Sequence, residues 1–189
     1  MKLKSIYSIV GVAIILSSCS SSHFIKPLQE KQKAVGFELG GPLFKFGEAE
    51  TVIPIPFASL SGGYGIKKDL TGFATVHLTS LAYQNIHTEF GVVKQFYSNA
   101  DSTFGLTTTP QINFVYGMAQ GKVKLWPQID VNAYWHYKKE KQHFAYAGMS
   151  NWFEFAAQKS HGEKQTNHWI PNFQIGHQFS KPKMDYFFE

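Results

Sequence analysis

Three histidines and two carboxylates are the residues whose chemistry could matter most. His77, His87 and His136 fall in separate alternating segments, each on the polar side, and Glu89 and Asp130 fall on polar sides as well. Imidazole and carboxylate groups hold a divalent cation when two or three of them converge. In the sequence none of these residues shows the close spacing of a metal motif. The expectation is therefore a polar interior network satisfied by hydrogen bonds and water, with no metal and no cofactor. The glycine-dense stretch Ser61-Gly62-Gly63-Tyr64-Gly65 lacks the lysine and following Ser or Thr of a phosphate loop. Cys19 is the single cysteine, so a disulfide within the chain is impossible.

The elements that must position these groups read as strands. Gln128 to Tyr137 carries apolar Ile129, Val131, Ala133, Trp135 and Tyr137 against Gln128, Asp130, Asn132, Tyr134 and His136. Side chains alternate faces along a strand, so this is a strand with one greasy face and one wet face. Others repeat the pattern. Val35, Phe37 and Leu39 oppose Gly36, Glu38 and Gly40; Ala74, Val76 and Leu78 oppose Thr75, His77 and Thr79. Ile86, Phe90 and Val92 oppose His87, Glu89 and Gln95; Ile112, Phe114 and Tyr116 oppose Gln111 and Asn113. Phe173, Ile175 and Phe179 oppose Asn172, Gln174 and Gln178. Turn signals separate about eight such segments, with no helical periodicity between them. The two prolines of Ile53-Pro54-Ile55-Pro56 forbid a central ladder position there.

Hydrophobic residues are 43% of the chain, aromatics 16% and charged residues only 16%. A soluble domain usually carries about 25% charged residues, so the balance favours a chain whose apolar strand faces meet lipid. Beyond the N-terminus no apolar run reaches about 20 residues, which excludes a helical membrane protein. Lys and Glu gather in turns, such as Lys138-Lys139-Glu140-Lys141, rather than on the polar strand faces. Trp126, Trp135, Trp152 and Trp169 lie near expected strand ends, where an amphipathic ring prefers the headgroup layer. The net charge of +5 is modest and scattered, and no nucleic-acid partner is expected.

The first residues have the form of a leader. Lys2 and Lys4 precede an apolar stretch from Ile6 to Leu16, too short to span a bilayer. Leu16-Ser17-Ser18-Cys19 follows and resembles a bacterial lipobox, with Ser18 where Gly or Ala is usual. The resemblance implies cleavage before Cys19 and acylation of that cysteine, palmitate included. Two or three acyl chains anchor a protein stably, at about 0.8 kcal/mol per buried CH₂. The organisation expected is a signal peptide over 1–18, a lipidated flexible tether over 19–32 and a β-barrel domain over 33–189. No acidic cluster follows Cys19, so the anchor and N-terminus are expected to face the periplasm.

The run from Ser61 through Tyr64-Gly65, Lys67-Lys68-Asp69 and Leu70 to Leu78 resembles the strand–turn–strand units of small bacterial outer-membrane β-barrels. Such barrels often end in phenylalanine. This chain ends Phe187-Phe188-Glu189, and Phe179 is the residue expected to close the last strand. Ser150-Asn151, followed by Pro171-Asn172, is faintly similar to the lipid A deacylase pattern. That pattern has a histidine two residues before the serine as general base; here the position is Gly148, and His143 could substitute only if folding brought it close.

These readings converge on an all-β fold, a single antiparallel up-and-down barrel of about eight strands, too narrow for a wide pore. The expected role is a lipid-anchored barrel of the bacterial outer membrane, structural or interactive, and not an enzyme. Its partners would be outer-membrane lipids and, through loops such as Gln158 to Asn167, a protein. No catalytic, cofactor-binding or metal residue is assigned; Cys19 is the lipidation site. The rival readings are a periplasmic lipocalin-like barrel carrying an apolar ligand and a lipid A-modifying hydrolase built on Ser150. The side to which Ile129, Val131 and Trp135 point separates the first two.

Overall fold

The computed structural model describes residues 24–40, 43–46, 51–54, 57–137, 143–158, 164–181 and 184–189. Its elements are β1 (Lys33–Gly40), β2 (Leu43–Phe46), β3 (Thr51–Pro54), β4 (Phe57–Lys67), β5 (Leu70–His77), α1 (Leu78–Ala82), β6 (Asn85–Ser98), β7 (Phe104–Gly117), β8 (Lys122–His136), β9 (His143–Phe153), β10 (Trp169–Lys181) and β11 (Met184–Phe188). Nine strands form one antiparallel sheet in the order β1-β4-β5-β6-β7-β8-β9-β10-β11, curled into a half-barrel. The expected all-β, up-and-down architecture is thus the one the chain adopts.

Several details differ from the sequence reading, among them Leu78 and Thr79, which begin the short helix α1 instead of continuing the strand. The aromatic tail forms a further strand, pairing Phe187 with Gln178 and Phe188 with His177, so Phe179 is not at the close of the last strand. No ladder joins β1 to β11 among the described residues, and the sheet stays curled rather than sealed. The proline-containing run leaves the main sheet, as expected. β3 pairs only with β2, in a separate hairpin between β1 and β4.

Binary alternation decides the two faces. On β8, Gln128, Asp130, Asn132 and Tyr134 are buried on the concave side, Asn132 at 1% exposure. Ile129, Val131 and Trp135 stand on the convex side, Val131 at 41%. The same split holds on β1, β5, β6, β7 and β10, and Val35, Phe173 and Ile175 are each more than three-quarters exposed. Only Trp135 and Trp169 of the four tryptophans are exposed on the convex face. Trp126 and Trp152 fall on the concave parity and are half-buried, so they are not part of an outward girdle.

A concave face has less room than a convex one, and glycines supply it. Five cross-strand pairs set a glycine opposite an inward side chain: Gly36 and Ser61, Gly91 and Phe73, Gly105 and Tyr134, Gly148 and Asn132, Gly176 and Tyr146. In each, a Cβ on the glycine would lie under 3 Å from the partner's side chain. The partner leans over the space the glycine leaves, which lets both strands curl inward without collision.

The ends of the half-barrel differ. At one end the connections are 68–69, 99–103, 137–142 and 182–183, and β1 begins there. At the other they are 41–56, 78–84, 118–121 and 154–168, which include the β2–β3 hairpin and α1. No helix among the described residues is long and apolar enough to cross a membrane.

Candidate polar site on the concave face

The short-turn end of the concave face is filled by the chain itself. Residues 24–32, expected as the last part of a tether, lie against β4, β5 and β7. Thr107 Oγ1 donates to the Ile25 carbonyl at 2.7 Å, and the Leu28 amide donates to Thr71 Oγ1 at 2.8 Å. Lys31 N donates to the Gly65 carbonyl at 2.7 Å, and Gly65 N donates to the Gln32 carbonyl at 2.9 Å. Ile25, 1% exposed, packs into a buried cluster with Tyr134, Phe144 and Tyr146. Gly63 and Gly65 make the floor. A Cβ on Gly65 would sit 1.9 Å from the Gln29 carbonyl oxygen, and one on Gly63 would sit 2.7 Å from the Phe24 ring. Lys31 closes the segment with φ +65°, a left-handed turn before β1.

Lys26 follows Ile25 into this environment, its Nζ 5.2 Å above the Phe144 ring. Burial holds its pKa below the usual lysine range, and Asp185 offsets part of that. In the β4–β5 turn, the hydrogen bond from Lys94 lowers the pKa of Asp69.

The long-loop end is polar. His77 ends β5 and His87 lies near the start of β6, on either side of α1. The β5–β6 register pairs Val76 with Thr88 and Thr75 with Glu89, so the next step brings His77 beside His87. Their rings stack at 3.8 Å between centroids and 22° between planes. His77 Nε2 is 2.7 Å from Glu89 Oε1, and His87 Nε2 is 4.0 Å from the same oxygen. Glu89 is paired across β7 with Asn113, whose Oδ1 is 3.1 Å from His87 Nε2. Asn113 Nδ2 donates to Gln128 Oε1 at 3.1 Å, and Gln128 Nε2 donates to Asp130 Oδ1 at 2.8 Å. At the β1 edge, Ser59 and Ser61 donate to Glu38.

The structure therefore brings together His77, His87 and Glu89, and ties Asp130 to them through two amides. His136 is apart, at the short-turn end, with Nδ1 3.2 Å from the His143 carbonyl oxygen. Convergence of the three was not visible as a motif because it arises across a β5–β6 pair. The chain spacing shows only ten-residue separation, with α1 between.

Ser150 is buried on β9 and donates to Gln174 Oε1 at 3.3 Å; Gln174 Nε2 donates to Asn132 Oδ1 at 2.7 Å. The space a side chain at Gly148 would need is taken by Asn132, whose Oδ1 lies 1.9 Å from the Cβ position. His143 begins the same strand, seven residues earlier, or about 23 Å along it at 3.3 Å per residue. Its Nδ1 accepts from Ser180 N at 3.2 Å. The substitute base is therefore on the wrong part of the strand. Cys19 and Lys138-Lys139-Glu140-Lys141 lie outside the described residues, as does most of the Gln158–Asn167 loop before Lys164.

A scan of protein-family models finds no match to this chain, and searches of the curated proteins and the solved structures return none.

Proposed function

We propose that this chain is a lipid-anchored barrel of the bacterial outer membrane, with its convex face in contact with acyl chains. Its role in this reading is structural or interactive, through the long connections at one end, and not catalytic. The observation that carries it is the alternation on β8: Ile129, Val131 and Trp135 exposed, with Gln128, Asp130 and Asn132 buried. An apolar surface that covers the outward side of most strands is costly in water and suits hydrocarbon. A polar, hydrogen-bonded interior suits the same setting, where each buried polar group needs a partner. Short turns at the N-terminal end accord with a periplasmic anchor at Cys19, since outer-membrane barrels turn tightly on that side.

The ligand-cup reading gains less support. Apolar lining on the concave face is concentrated at one end, and the chain's own Ile25 fills it. The hydrolase reading lacks the histidine of its pattern: Gly148 stands at that position, and His143 begins the strand seven residues before Ser150.

Carbonate washing of membranes tests the proposal. A Cys19→Ser chain should stay in the outer-membrane fraction and migrate differently on a gel before and after heating. Release of that variant by carbonate, with no heat-modifiable band, would overturn the bilayer reading. Val131→Arg sharpens the test: at mid-bilayer it should cost about 2–4 kcal/mol, while a water-facing position would hardly respond.

A further inference from the structure

We infer that His77, His87 and Glu89 form a binding site for a first-row divalent cation of the zinc type, on the concave face beside α1. One ring nitrogen of each histidine and a carboxylate oxygen lie within 4.8 Å of one another. Tetrahedral zinc, with bonds of about 2.0–2.2 Å, sets its ligand atoms roughly 3.3–3.5 Å apart. The observed separations from Glu89 Oε1, 2.7 Å to His77 and 4.0 Å to His87, straddle that value. Binding an ion requires the His77 and Glu89 atoms to part and the His87 atom to draw in, which side-chain rotation would supply.

The donor set suits the ion. Two neutral imidazoles and one carboxylate favour zinc and its neighbours over calcium or magnesium, which prefer all-oxygen cages. The rings stack with 22° between their planes, so each must turn about its side-chain bonds to aim an in-plane nitrogen lone pair at an ion beside Glu89 Oε1. Asn113 Oδ1, 3.1 Å from His87 Nε2, offers a fourth oxygen from a fully buried side chain. Gln128 holds the Asn113 amide, and Asp130 holds Gln128, the kind of outer arrangement that orients metal ligands. Glu89 is 5% exposed, and a divalent charge stabilises a carboxylate withdrawn from water to that degree. His87 keeps partial exposure, its side chain 14% open, which gives the ion a way in. This site goes beyond the outer-membrane reading and does not depend on it.

The test uses the full-length chain in detergent, stripped with a chelator and titrated with Zn²⁺. One saturable ion per chain is expected. His87→Ala and Glu89→Gln should each weaken binding by roughly a hundredfold or more, since even outer partners of a metal ligand matter tenfold or more. His136→Ala, on the far end of the concave face, should bind as the parent does. Co²⁺ added to the unaltered chain should give the intense visible bands of low-coordinate nitrogen–oxygen ligation. This second readout needs no substitution, so a variant that fails to fold does not blunt it. A pale spectrum like that of hydrated Co²⁺, no saturable Zn²⁺ binding, or binding unchanged in both folded variants would each overturn the site.

Discussion

The two ends of the concave face are built by opposite means. At the short-turn end, Ile25 enters from the N-terminal segment and is surrounded by Tyr134, Phe144 and Tyr146. At the long-loop end, His77, His87, Glu89, Asn113, Gln128 and Asp130 meet in a chain of polar contacts. Apolar contact tolerates small errors in position, while side-chain hydrogen bonds demand distance and angle. The first end can therefore be filled by a segment from elsewhere in the chain. The second is composed of strand residues fixed by register.

The largest way to break the comparison is at Ile25. Ile25→Ala should cost roughly 2–5 kcal/mol of stability, read as a lower denaturant midpoint in detergent, because its cavity has rigid aromatic walls. A change under about 0.5 kcal/mol, within the range of ordinary surface substitutions, would mean that the segment does not fill that end. Gly65→Ala comes next. The added methyl collides with the Gln29 carbonyl, so the segment should lift, at a cost of about 1–3 kcal/mol. Trypsin should then cut faster after Lys31, and unchanged cleavage would place the segment elsewhere.

Asn113→Ala probes the other end. It removes a partner from both His87 and Gln128, and the expected loss is about 1–2 kcal/mol, with trypsin cleavage at Lys31 unaffected. A variant that also frees the N-terminal segment would couple the two ends, contrary to the comparison. The smallest effect belongs to Lys26. Its folded pKa lies below the ordinary value of 10.5, so the unfolded chain holds more protons between the two. Parent stability should therefore rise with pH across that window, whose upper end is the ordinary 10.5, and Lys26→Met should flatten the rise. An identical pH profile in both would show that burial of the ammonium is not what shifts it.

Much of this fold was legible because a period of two needs no knowledge of the partner strand. Val35, Phe37 and Leu39 declare their face alone, and so do Ile129 and Val131. The docked N-terminal segment was not legible in that way. Phe24, Ile25 and Leu28 are apolar but have no period, and they follow a serine run that reads as linker. Their counterpart was in plain view at Gly63 and Gly65, whose missing side chains leave a floor for another stretch of backbone. The proposed cation site was not read from the sequence, where a hydrogen-bonded network without metal is expected. Residue types and polar faces of His77, His87 and Glu89 were read correctly, but the β5–β6 register that joins them was not. The tail was missed because Met184 to Phe188 is aromatic on both parities, so no alternation marks it as a strand.

The hydrogen bond from Thr107 to the Ile25 carbonyl spans 82 positions in the chain. Ile25 also waits on Phe144 and Tyr146, which are synthesised later still. Closing so wide a loop has an entropic cost that nearest-neighbour hairpins avoid. Loop-closure entropy accordingly favours an order in which neighbouring hairpins zip first and the leading residues are tucked beneath them afterwards.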